Sequence, residues 1–145
     1  MPESRRGRLV VAGAIAVGAA LAVAVPAGAA VQVQSESPPR GVAKIVKTAK
    51  LKANGAAGVV TFQVNCVPRK TFDSSVIVSQ RVGGKVTRGE TYVFNTRCEA
   101  DGTNKLKAAV VPGPKPFKPG VAFATVRVDF YPGGDTASRE ITFVN

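Results

Sequence analysis

A sulfur nucleophile, a pair of carboxylates or a cluster of cations are the chemistries open to this chain. It holds two cysteines, nine acidic and twenty basic residues, and no histidine. Without an imidazole, the commonest general base and metal ligand is missing. Cys66 and Cys98 therefore lack the partner that would turn either thiol into a catalytic nucleophile, and two sulfurs fall short of the four ligands of a structural zinc site. Glu99 and Asp101 stand two apart in EADG, too close on a turn to flank a scissile glycosidic bond from opposite sides. The same stretch looks like a fragment of a calcium loop, but the EF-hand spacing is absent. No G-x-S-x-G or S-x-x-K occurs, and Gly83-Gly84-Lys85 lacks the spacing of a phosphate loop. The sequence thus predicts a protein that is not an enzyme and has neither cofactor nor metal.

The cations are left as the chemically active set. Net charge is +11 over 145 residues. Such a charge draws polyanions: cell-wall polymers, anionic lipid or nucleic acid. Aromatic residues are few, and most fall at expected inward strand positions, so sequence-specific nucleic-acid readout finds no support.

Which cations can act together depends on the elements that carry them. Basic residues in MPESRRGR lead into seventeen uncharged residues, Leu9 to Val25, closed by Pro26 and Ala27-Gly28-Ala29. This is the pattern of a signal peptide spanning residues 1–29, and it predicts a secreted protein with no membrane span in the mature chain. Removing it takes away Arg5, Arg6, Arg8 and Glu3, leaving 17 basic and 8 acidic residues and a net charge of +9. Residues 30–41, with two prolines, a glycine and no sustained pattern, read as a flexible linker. A single domain over 42–145 follows.

Within it, period-2 alternation recurs between turn clusters at Val42–Lys52, Val59–Cys66, Ser75–Val82, Tyr92–Cys98, Asn104–Val111, Val121–Tyr131 and Arg139–Val144. Seven short strands in about a hundred residues predict an all-β, antiparallel, immunoglobulin-like sandwich. The expected inward set includes Val60, Phe62, Val64, Val76, Val78, Tyr92, Phe94, Val126, Val128, Ile141 and Phe143. If successive strands alternate in direction, Cys66 and Cys98 close two strands that run the same way and meet at one rim. One disulfide is expected there. The opposite rim collects KANGAAG, GGKVTRGE and PGPKPFKPG, and with them Lys52, Lys85, Arg88, Lys115 and Lys118 against the single acid Glu90. Loops at one end of a rigid sandwich suit binding, so these five residues are the candidate polyanion site.

The leader, the seven strands, FQVNC followed by RCEADG, and the proline-rich loop that runs into FKPGVAFATVRVDF resemble the small secreted immunoglobulin-like domains of actinobacteria, several of them of unknown function. The resemblance implies a sandwich and supplies no ligand. The functional expectation is a secreted, monomeric, noncatalytic binding or structural domain that contacts an anionic cell-wall polymer or another polyanion. The alternative is a protease inhibitor, presenting Lys115 or Phe117 from VPGPKPFKPG, or a small-molecule carrier.

Overall fold

Alternating apolar side chains need a second layer to bury them, and the chain supplies it by rolling one sheet over on itself. A computed structural model describes residues 40–145; the expected signal peptide and all of the expected linker but Arg40 and Gly41 lie outside the described residues. The strands are β1 (Gly41–Ile45), β2 (Thr48–Lys52), β3 (Ala57–Asn65), β4 (Thr71–Val82), β5 (Lys85–Arg97), β6 (Thr103–Val110), β7 (Gly120–Asp129) and β8 (Gly134–Val144). A short 3₁₀ turn, Ala53–Gly55, separates β2 from β3. Gly41, read as linker from the sequence, already belongs to β1.

Eight strands replace the seven expected. The segment 42–52 runs antiparallel along β3 throughout, but its register slips by two residues between Ile45↔Phe62 and Lys50↔Val59, which breaks it at Val46-Lys47. Past the break, Lys47 O accepts a hydrogen bond from Thr142 N at 2.7 Å, and β2 pairs in parallel with β8. The expectation of a wholly antiparallel sheet is corrected by this one parallel pair. Its cause is tertiary: β2 pairs with β3 along one edge and with β8 along the other.

β3 lies between β6 on one side and β1 with β2 on the other. Beyond β2 the path continues through β8, β7 and β4 to β5. Its two ends approach at an isolated bridge between Gly89 and Pro112. The inward faces meet in one core holding Val60, Phe62 and Val64 from β3, Val76 and Val78 from β4, Val126 and Val128 from β7, and Ile141 and Phe143 from β8. Burial of these apolar side chains is the dominant favourable contribution to the fold.

Tyr92 and Phe94 do not join that core. They are 57% and 66% exposed, stacked side by side with ring centroids 5.8 Å apart. The parity of β5 is fixed elsewhere. Gly89 faces inward, with the Val111 carbonyl where its Cβ would be, so Thr91 and Val93 share its side while Glu90, Tyr92 and Phe94 turn out. The β4–β5 hairpin closes through Gly83 and Gly84, both at positive φ (56° and 77°). That conformation suits glycine and matches the twist of paired strands.

Candidate functional site

The disulfide joins Cys66 and Cys98, with Cα atoms 5.9 Å apart. Around it the backbone is tied three times more, by Cys98 N to Lys70 O (2.8 Å), Arg69 N to Cys98 O (3.0 Å) and Cys66 N to Gly102 O (2.9 Å). Asn104, buried at the start of β6, orders the adjoining turn: its Oδ1 accepts from Glu99 N (2.9 Å) and its Nδ2 donates to Arg97 O (3.0 Å). The same Oδ1 also lies 3.3 Å from Cys66 Sγ; a disulfide sulfur carries no proton, so this is a packing contact.

Three of the acids at this end are used separately by the backbone. Asp73 Oδ1 accepts from Asn95 N (2.7 Å), Asp101 Oδ1 from Thr103 N (2.9 Å) and Asp135 Oδ2 from Val42 N (2.8 Å). Among the described residues, no three acidic or cysteine side chains gather as metal ligands would. A cleft of about 370 Å³ opens beside the disulfide, floored by Phe72 and Phe130 and edged by Lys70, Thr71 and Tyr131.

At the opposite end, three connections are drawn together by hydrogen bonds from the loop at residues 111–119. Thr87 Oγ1 donates to Lys115 O (2.7 Å) and Gly113 N to Arg88 O (2.9 Å). Gln80, buried at the end of the core, donates through Nε2 to Lys118 O (2.7 Å) and accepts at Oε1 from Lys118 N (2.8 Å). Phe117 N donates to Gly55 O (2.9 Å), tying the loop to the 3₁₀ turn after Lys52. The Phe117 carbonyl approaches Gly55 so closely that no side chain fits there. Lys52, Lys85, Arg88, Lys115 and Lys118 are all exposed on this end. Lys85 and Arg88 lie on β5 itself, since that strand begins seven residues earlier than the alternation suggests.

Phe117, expected as a presented side chain, is fully buried and stacks on Phe143 with centroids 5.1 Å apart. It is a plug under the loop. A hydrophobic ring at this position gains more from the core than its flanking lysines and prolines suggest.

One ionisable group near the rim is perturbed. Tyr92 Oη donates to Glu90 Oε1 at 2.8 Å; this hydrogen bond, and then the negative charge of Glu90, hold the phenol protonated and push its pKa above the usual 10.0.

Sequence reasoning did not gather Lys44, Lys50, Lys105 and Lys107, which the sheet register brings to one outer face. The alternation around Lys50, Lys105 and Lys107 in AKLK and NKLK is visible in the sequence; the adjacency of all four depends on strand pairing.

No family model and no curated protein matches the sequence. Among solved structures, the chain is similar to the sporulation control protein Spo0M of Bacillus subtilis, at 11% identity and a TM-score of 0.36. The match covers 73% of this chain, and the chain spans about half, 49%, of that one. No helix among the described residues is long and apolar enough to cross a membrane.

Proposed function

We propose that this chain is a secreted, noncatalytic binding domain of the immunoglobulin-like sandwich type that holds polyanions at its basic end. The carrying observation is the set of bonds from Thr87, Arg88, Gln80 and Gly55 to the loop at residues 111–119, because they fix Lys115 and Lys118 beside the strand that carries Lys85 and Arg88. Exposed charges interact over a Debye length of about 8 to 10 Å at physiological salt, so cations held on one end act jointly where scattered ones do not. The grouping of β6, β3, β1 and β2, continued from β2 through β8, β7 and β4 to β5, supports the sandwich reading.

The reading is tested by retention of residues 30–145 on immobilised heparin, with a salt gradient. Elution by modest salt, and its loss in the Lys85→Glu, Arg88→Glu, Lys115→Glu, Lys118→Glu protein, is expected. Absence of retention of the wild type at low salt would overturn it. An inhibitor reading retains Lys115, enclosed by Pro114 and Pro116, but not Phe117. A carrier reading is favoured by the cleft at Phe72 and Phe130, and saturable quenching of 1-naphthoate fluorescence would support it.

A further inference from the structure

The outer faces of the two layers differ in charge. On the β4–β5–β7–β8 side, cross-strand neighbours mix the signs: Arg88 and Glu90 lie on β5, Arg127 and Asp129 on β7, and Glu140 opposite Phe123. Arg127 and Asp129 form an ion pair at 3.0 Å. On the other side the register places Lys44 across from Gln63 and Gln63 across from Lys105, Thr61 across from Lys107, and Lys50 across from Val59. Lys52 follows two residues beyond Lys50, opposite Ala57. No acid occupies any position of β1, β2, β3 or β6.

These lysines form two rails. Lys44, Lys50 and Lys52 stand along one side of β3, and Lys105 and Lys107 along the other. Neighbouring strands lie about 4.8 Å apart, so the rails are separated by roughly 10 Å, and alternate residues along each rail by about 6.7 Å. Between them runs the outward row of β3: Val59, Thr61, Gln63 and Asn65, uncharged and half-buried, whereas all five lysines are exposed. The result is a shallow trough with a neutral hydrogen-bonding floor and cationic walls. Lys52 joins it to the basic end.

We infer that this trough binds a single, flexible, linear polyanion along β3, and that the polymer is a polyol phosphate whose phosphodiesters meet the lysine rails while its hydroxyls meet Thr61, Gln63 and Asn65. Charge complementarity requires a polyanion; the uncharged floor calls for polar, uncharged groups between the charges. A rail separation near 10 Å seats one backbone between the lysines and matches neither the major groove of a duplex, about 12 Å wide, nor its minor groove, about 6 Å wide. The inference rests on the polyanion reading above and extends it from the basic end, through Lys52, to the face, where this polymer makes most of its contacts.

The test uses fluorescence anisotropy with labelled poly(glycerol phosphate) at low salt and two variants of equal net charge. One carries Lys44→Gln, Lys50→Gln, Lys105→Gln and Lys107→Gln; the other carries Lys85→Gln, Arg88→Gln, Lys115→Gln and Lys118→Gln. The face variant should weaken binding at least tenfold more than the end variant, with circular dichroism confirming that both fold. Thr61→Val with Gln63→Leu, which leaves every charge in place, should lower affinity for this polymer and leave affinity for inorganic polyphosphate unchanged. Equal losses from the two charge variants would show that net charge alone acts, and a greater loss from the end variant would place the site there; either overturns the trough while the polyanion reading stands. Tighter binding of duplex than of single-chain polymer overturns the trough as well. No binding by the wild type to any polyanion removes both readings.

Discussion

Replacing Phe117 by alanine tests whether the loop that carries Lys115 and Lys118 is a structural part of the core. The ring is wholly buried and stacked on Phe143. Deleting it forfeits roughly 2–3 kcal/mol of apolar transfer. If the neighbours fail to collapse, a void of about 100 Å³ adds up to about 2.4 kcal/mol at roughly 24 cal/mol per Å³. Partial relaxation brings the expected loss to about 4 kcal/mol, inside the range of about 3–5 typical for Phe→Ala in cores. For a domain of this size about 1 kcal/mol moves Tm by roughly 4 °C, so a fall of about 15 °C is expected. Urea unfolding followed by circular dichroism measures it, with the exposed neighbour change Lys115→Ala as the control, expected within about 0.5 kcal/mol of wild type. A Phe117→Ala loss below about 1 kcal/mol would refute the burial argument and return Phe117 to the surface.

Breaking the Cys66–Cys98 bridge by Cys66→Ala/Cys98→Ala should cost about 3–4 kcal/mol in the chain-entropy model for a separation of 32 residues; paired denaturation curves check it. The same model requires the wild type under reductant to approach the double variant. Asn104→Ala leaves Glu99 N–H and Arg97 C=O without their partner and should destabilise by about 1–3 kcal/mol, measured by the same curves. Glu90→Ala removes the hydrogen-bond acceptor, and with it the charge, that hold the Tyr92 phenol protonated, so the Tyr92 pKa should fall toward its ordinary value; ultraviolet titration of phenolate, with Tyr131→Phe to leave one tyrosine, reads the shift.

The strands were legible wherever one parity alone is apolar. Val60, Phe62 and Val64 alternate with polar neighbours and become the inward face of β3, and Val126 and Val128 do the same in β7. In β5 both parities carry large side chains, so Tyr92 and Phe94 competed with Val93 and the decision fell to Gly89, whose constraint comes from Val111 across the fold. Phe117 was obscured because a proline-rich, lysine-flanked segment gives no periodic signal to a buried ring. The break at Val46-Lys47 carries neither glycine nor proline and arises from the competition of β3 and β8 for the same strand. The five residues of the basic end were readable once strand directions alternated. The lysine trough was not, because it requires residues 44, 63 and 105 to share a row.

The parallel pairing of β2 with β8 has a kinetic meaning. Thr48 meets Thr142 across 94 residues of chain, a contact of very high sequence separation whose loop-closure entropy must be met before any bond is gained. During synthesis, β2 can lie against β3 early, but its other edge stays open until the last strand has emerged. For that interval a lysine-bearing edge is what a neighbouring nascent chain encounters, and charge on an edge discourages strand addition. Lys47, Lys50 and Lys52 would then guard that edge until the sheet closes.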